Sequence, residues 1–370
     1  MIEIHQFAPI VLYGDAVGNQ IVAMRQWLDS RGIRSKVYAP SWDPRYAAFC
    51  DTPDNYRSRP ENVVILQHCV GTPVADLVLQ LKDRVVPYYH NITPAEYYQP
   101  YDPGLAQALV QGREQLRRHS SAPYALAVSE YNRLEMLEVG YARVDILPLF
   151  INPTRLSRDL DRAQAASIYA AYADGRENWL FVGRLSPNKR QDNVIRAFNY
   201  HHRLVNPNSR LLLVGTDAAP RYADACRALA ARLGLSDSVV FAGHVPDAVL
   251  GAYFEVASLF VCLSEHEGFG APVLEAMSFN VPVVALNATG VAMTMGDAGI
   301  LVNQPRPDAI SEIADVLAQD DELRQRVIVK QRARLSAYTL DAAHTAMART
   351  LQALLEPSDT TRARVASSTP

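Results

Sequence analysis

The stretch SEHEGFGAPVLEAM, Ser264 to Met277, decides the fold. The ASLFVCLS before it is a short apolar run of the kind that forms a buried strand. The APVLEAMSFN that overlaps its end predicts a helix, with Pro272 in a first turn where proline is tolerated. Gly268 and Gly270 supply the tight turn between strand and helix. Such a turn aims free backbone N–H groups and the positive end of a helix dipole at one point, which attracts a phosphate. Two carboxylates, Glu267 and Glu275, flank that point. A carboxylate repels phosphate but accepts hydrogen bonds from hydroxyls. The stretch therefore suits a ligand that carries both phosphate and vicinal hydroxyls, such as a nucleotide-sugar.

Working outward, the same alternation of strand and helix runs through the chain. NWLFVGRL, RLLLVG, SVVFAGHV, SLFVCLS, PVVALN and GILVN read as strands in the second half, with helices such as NVIRAFNYHHRLV and RYADACRALAARLG between them. In the first half MIEIHQ, SKVYAP, NVVILQH, RVVPYYH, PYALAVS and RVDILPL read as strands, and NQIVAMRQWLDSRG and SEYNRLEMLEVG as helices. Alternation of this kind implies an α/β protein with parallel sheets covered on both faces. Two successive runs in 370 residues imply two domains, with the break near PLFINPTRLSRDLD, Pro148 to Asp161.

Composition narrows the function classes. With 49% hydrophobic and 20% charged residues the chain has the make-up of a globular protein, and a formal net charge of −3 argues against a nucleic-acid binder. No apolar run is long enough to cross a bilayer, and MIEIHQFAPI lacks the form of a signal peptide, so a cytoplasmic location is expected. The four cysteines, Cys50, Cys69, Cys226 and Cys262, form no CxxC pair and are expected as free thiols. No metal-ligand cluster stands out, and no cofactor is expected.

In FVGRLSPNKRQDNVIRAF, Arg184 and Lys189 lie between a strand and the next helix. Ligands of parallel sheets gather beyond the carboxyl ends of the strands, where the strand order switches. Two cations there suit a diphosphate leaving group, and one preorganised donor at such a point contributes about 2.7–4 kcal/mol to a transition state. Solvated surface charges are the alternative for either residue alone. Further on, Gly243, His244 and Val245 sit at a strand end and could wall a nucleobase; a turn histidine with a satisfied hydrogen bond is the alternative for His244.

Arg184 and Lys189, then GHV, then Glu267 and Glu275, in that order, resemble the donor domain of the retaining glycosyltransferases of family 4. The resemblance implies the GT-B fold, two Rossmann-like domains whose parallel sheets face a central cleft. It implies an acceptor-binding domain at 1–155 and a nucleotide-sugar-binding domain at 156–337. A C-terminal helix at 338–356 would return to the N-terminal domain, followed by a disordered tail at 357–370. By the resemblance Glu275 binds the ribose hydroxyls and Glu267 the transferred sugar. The backbone at Gly268, Phe269, Gly270 and Ala271, with Val273 beside it, meets sugar and phosphate.

The resemblance extends to the N-terminal domain with less specific motifs. YGDAVGNQIVAM resembles the family's glycine-rich loop: Gly14 and Gly18 would let backbone approach the diphosphate and Asn19 would open the helix, though a plain tight turn competes. His90, ending RVVPYYH, corresponds to a histidine that touches the transferred sugar. His68, at the equivalent place on the preceding strand, could line the acceptor site. Tyr97, Tyr98 and Tyr101 could stack on sugar rings or simply pack. Arg113, Arg117 and Arg118 could form a basic patch for membrane contact, as in relatives that act on lipid-linked acceptors; a solvated helix face is the alternative.

The implied activity is transfer of a hexose, of mannose or glucose type, from a UDP- or GDP-linked donor to a hydroxyl of a saccharide or lipid-linked acceptor, with retention. The implied setting is bacterial polysaccharide, lipopolysaccharide or glycolipid synthesis. Glu267, His90, Arg184 and Lys189 are the expected catalytic residues. A non-catalytic nucleotide-sugar-binding protein on the same fold is the alternative.

Overall fold

Short apolar runs separated by amphipathic helices become two all-parallel sheets. The computed structural model describes residues 2–355, so the tail expected at 357–370 lies outside the described residues. The first sheet joins β1 (Ile4–Phe7), β2 (Val37–Tyr38), β3 (Cys50–Asp51), β4 (Val63–His68), β5 (Arg84–Tyr89), β6 (Ala125–Ala127) and β7 (Val144–Ile146) in the order β3-β2-β1-β4-β5-β6-β7. The second joins β8 (Glu177–Val182), β9 (Ser209–Val214), β10 (Val239–Gly243), β11 (Leu259–Cys262), β12 (Val283–Leu286) and β13 (Ile300–Val302) in the order β10-β9-β8-β11-β12-β13. Every strand expected from the sequence is present, and β3 is the addition.

The second order is that of a doubly wound dinucleotide-binding sheet, with its switch point between β8 and β11. In the first sheet the order reverses between β1 and β4. Strands β4 and β9 are buried along their whole length. Continuous burial, rather than alternation, follows from helices covering both faces of a parallel sheet. The second core is centred on Trp179, Phe181, Phe198, Phe254 and Phe260, all fully buried.

The chain divides into two compact units. One comprises 2–92, 108–150 and 340–355; the other comprises Thr93–Gln107 and Ile151–Thr339. The helix Leu340–Leu355 belongs to the first unit, where Arg84 donates to the carbonyls of Leu354 at 3.0 Å and Ala353 at 3.1 Å. Thr93–Gln107 departs from the expected boundaries, because its tyrosines are anchored in the second unit. The Tyr98 hydroxyl donates to Asn188 Oδ1 at 3.3 Å, and Tyr101 packs edge-on against Tyr222 at 5.2 Å.

Candidate functional site at the carboxyl ends of β8 and β11

Strand β8 runs out at Val182, and the chain then makes a short 3-10 turn, Pro187–Lys189, before the helix Gln191–Leu204. Arg190, between them, is left-handed at φ 51°. This turn is laced to the loop after β11. The Asn188 carbonyl accepts from the Glu265 N–H at 2.9 Å, and the Asn188 amide donates to the His266 carbonyl at 2.8 Å. Arg190 pairs with both Asp192 and Glu265. The two loops flanking the switch point are thus one hydrogen-bonded body.

That lacing brings Lys189 and Glu267 together as an ion pair, with the side chains only 13% and 16% exposed. Ser264, fully buried, donates to the same Glu267 oxygen at 3.1 Å. The Glu267 main chain is held from the other side by Thr289 and Gly290. Its N–H donates to Thr289 Oγ1 at 3.0 Å, and its carbonyl accepts from the Gly290 N–H at 2.9 Å. Gly290 has no room for a side chain, since a Cβ there would stand 2.2 Å from the Gly268 carbonyl oxygen. Arg184, by contrast, is exposed and has no ion-pair or side-chain hydrogen-bond partner among the described residues.

The helix Ala271–Ser278 starts from Gly270 in the left-handed conformation, φ 84°, with Pro272 in its first turn and no side chain capping its N-terminus. Pro272 has no N–H and that of Val273 is bonded, so the Ala271 N–H is the one of its first three positions free to meet an anion. Glu275, one turn further, is partly buried, and its carboxylate has no hydrogen-bond partner among the described residues. Burial pushes its carboxyl up to about 7, partly opposed by the charge of Arg155 and reinforced by that of Asp247. Arg155 and Asp247 pair with each other at 2.5 Å.

Other residues of the expected donor set are placed less uniformly. Gly243 closes β10, His244 is exposed and Val245 partly buried. The Phe269 ring is buried against Tyr338, and its carbonyl accepts from Thr294 Oγ1 at 2.6 Å, so only its N–H is open to a ligand. Val273 is a correction: its side chain is in the core and its N–H bonds to the Gly270 carbonyl at 3.0 Å, leaving nothing for a donor.

The first unit supplies further corrections. The helix there begins at Ala16, not Asn19, because Asp15 caps it by accepting from the N–H groups of Val17 at 3.1 Å and Gly18 at 3.3 Å. A carboxylate already occupies the helix end that was expected to meet a diphosphate. Gly18 is glycine for packing, since a Cβ there would stand 2.0 Å from the Leu12 carbonyl oxygen. His68, expected at the acceptor site, is buried; its Nε2 bonds the Gly112 carbonyl at 2.9 Å, burial lowers it to about 4, and its Nδ1 has no hydrogen-bond partner among the described residues. His90 is buried after β5, its Nε2 is 2.5 Å from Gln67 Oε1, and desolvation lowers it to about 3.

Tyr97 lies in the second unit, its ring 6.5 Å from that of His266. Burial and then the nearby Glu265 charge push its phenol up to about 12. The expected basic patch is neutralised: Arg113 pairs with Glu135, Arg117 with Glu114, and Arg118 with Asp76. Among the described residues no helix is long and apolar enough to cross a membrane, and Cys50, Cys226 and Cys262 are free thiols. Sequence reasoning did not find Asn188, Ser264, Arg190 or the helix start at Thr289–Gly290, which hold the site from separate segments.

The two Rossmann-like units and the order of the second sheet are those of the GT-B glycosyltransferases. Residues 171–334 match the family described as glycosyl transferases group 1, the family that the ordered motifs suggested. The chain is 29% identical over 211 residues to an O-antigen chain mannosyltransferase B of Escherichia coli, covering 55% of this chain and 54% of that one. It is 32% identical over 195 residues to a GDP-mannose:cellobiosyl-diphosphopolyprenol alpha-mannosyltransferase of Xanthomonas campestris, covering 49% of this chain and 50% of the other. The chain thus spans about half the length of these relatives. Sucrose-phosphate synthase from Thermosynechococcus elongatus shares the fold with a TM-score of 0.72 at 20% identity, over 95% of this chain and 99% of that one.

Proposed function

We propose that this protein is a retaining glycosyltransferase that moves a hexose from a nucleoside-diphosphate sugar to a hydroxyl of a glycan or lipid-linked saccharide in bacterial polysaccharide or glycolipid synthesis. The observation that carries the reading is the grouping at the switch point of the second sheet. There Arg184, its guanidinium without a partner among the described residues, the Lys189–Glu267 pair and the uncapped helix that carries Glu275 gather at the ends of two adjacent strands.

Each part has a chemical task. Glu275, as carboxylate, accepts from both ribose hydroxyls. Arg184, Lys189 and the amides at Ala271 stabilise the diphosphate as the glycosyl bond breaks. Glu267 holds the transferred sugar, and His90 hydrogen-bonds a sugar hydroxyl. Gly243, His244 and Val245 border the base. The names of the two mannosyltransferase relatives favour mannose from a GDP-linked donor, with a UDP-hexose as the second choice.

Thermal-shift measurements with UDP, GDP, GDP-mannose and UDP-glucose test the donor assignment. A ligand at 100 times its Kd stabilises by about 2.7 kcal/mol, an easily read shift. The donor that shifts the protein is then incubated with hydroxyl acceptors and the product mass recorded. Failure of all four ligands to raise the melting temperature at millimolar concentration rules the reading out.

A further inference from the structure

A line of buried amides leads from the first helix of the first unit to His90. Gln6, at the centre of β1, donates through Nε2 to the Ile21 carbonyl at 3.0 Å. A main-chain carbonyl can only accept, so the Gln6 amide has one orientation and presents Oε1 on its other side. Gln67, near the end of β4, donates through Nε2 to that Gln6 Oε1 at 2.7 Å, and the same nitrogen lies 4.0 Å from Met24 Sδ. Turning the Gln67 amide over would set two carbonyl oxygens against each other. Its own Oε1 therefore faces His90 Nε2, 2.5 Å away. Gln6 and Gln67 are both fully buried, so water does not compete for these bonds.

An amide oxygen accepts and never donates, so His90 Nε2 must carry a hydrogen. The ring is neutral, since desolvation holds it far below its ordinary value. The one remaining ring nitrogen, Nδ1, is then a bare lone pair, and it is buried without a hydrogen-bond partner among the described residues. A buried acceptor left unsatisfied costs about 1–3 kcal/mol and calls for an explanation.

We propose that Gln67 is a positioning residue that locks His90 in its Nε2–H tautomer, so that Nδ1 accepts a hydrogen bond from a sugar hydroxyl. The inference rests, for that last step, on the reading of His90 given above. The other tautomer would present an N–H and could only meet a hydroxyl as its acceptor. The lock thus decides the direction of the hydrogen bond, and with it which way the sugar hydroxyl points its own proton.

The test has a spectroscopic arm that needs no activity. Histidine-15N-labelled full-length protein is compared with Gln67→Leu and Gln67→Glu, His90→Asn serving only to assign the signal. Wild type should show a protonated Nε2 and an unprotonated Nδ1. Gln67→Leu, of similar volume but without an acceptor, should give a mixture of tautomers. Gln67→Glu, which keeps an oxygen toward the ring, should restore the Nε2–H form. A wild-type ring protonated at Nδ1, or a Gln67→Leu ring unchanged from wild type, overturns the lock. In the kinetic arm Gln67→Leu should lower kcat about tenfold with the donor KM within twofold of wild type. A shifted tautomer with unchanged kcat overturns the sugar contact. Absence of transfer by wild type from any donor would instead count against the glycosyltransferase reading, and the tautomer measurement would still decide the lock.

Discussion

Lys189 and Glu267, 78 positions apart in the chain, form a largely buried ion pair at the point where the second sheet reverses its strand order. The pair joins the turn after β8 to the loop after β11, and Ser264 adds a third contact to the same carboxylate oxygen. A charge already neutralised inside the protein must be released or shared when a diphosphate arrives. Under the proposed function the pair therefore links the arrangement of these two loops to donor binding.

A double-mutant cycle measures this link. Lys189→Ala and Glu267→Ala should each destabilise the fold, and the double variant should recover part of the loss, with a coupling energy of about 1–3 kcal/mol from denaturant titrations. Turnover should fall about 10²–10³-fold in each single variant. Additive stability effects would show that the pair contributes nothing to the fold.

Arg184 makes the contrasting case, because nothing among the described residues depends on its guanidinium. Arg184→Ala should leave the melting temperature within about 1 °C of wild type, as for an exposed substitution. Turnover should nonetheless drop about 10²–10³-fold. Steady-state kinetics beside a thermal melt tests both, and a loss of less than threefold rejects the diphosphate role.

The ribose role proposed for Glu275 ties donor binding to pH. Its carboxyl in the free protein titrates near 7 instead of its ordinary 4.5, and only the carboxylate accepts from both ribose hydroxyls. Donor affinity should therefore weaken as pH falls from 8 to 6, by about tenfold at one unit below the free-protein pKa. Titration calorimetry across that range is the measurement. Affinity independent of pH, or stronger at pH 6, contradicts the ribose role.

The same shift has a cost in stability. A carboxyl whose pKa is raised by folding contributes stability below its unfolded value and loses it as pH rises through the folded value. On this account the ligand-free protein loses stability between pH 4.5 and 7. Glu275→Gln should remove the loss and raise the melting temperature at pH 8, by about 2–4 °C for each kcal/mol relieved, while donor binding is lost. Equal or lower stability at pH 8 would show that the buried charge is compensated.

Gly290 tests whether the loop must be held as it is. Gly290→Ala forces a methyl group against the Gly268 carbonyl, so the 267–270 segment has to shift. Overpacking of this kind costs about 1–3 kcal/mol. Turnover should suffer more than that figure implies, since Glu267 and the start of the helix move with the loop. A variant with normal kcat would show that the loop has slack.

The legible parts of this protein were local in the chain. Glu267, Gly270 and Glu275 fall within one stretch, and their strand–turn–helix context can be read from residue types alone. The strands were legible because parallel strands buried on both faces are continuous apolar runs. Strand β3, only Cys50–Asp51, is too short to leave such a run. The helix start was misplaced because Asn19 was taken as its opening, when Asp15 three residues before Gly18 does the capping. His68 and His90 look alike in sequence, each ending a strand. Only the structure separates them, since their partners, Gly112 and Gln67, lie 44 and 23 residues away. The arginines of the helix Pro103–Arg118 read as a patch because two of their acidic partners, Asp76 and Glu135, come from other elements.

The placement of Thr93–Gln107 has a practical meaning for anyone who recombines this protein. By position in the gene it belongs with the first half, yet Tyr98 and Tyr101 are part of the second unit. A hybrid joined only at the 150–151 junction would inherit this piece from the wrong parent and set foreign tyrosines against Asn188 and Tyr222. Exchange of the second unit between relatives therefore calls for three crossovers besides the obvious one, one on each side of the segment and one before Leu340, where the chain returns to the first unit.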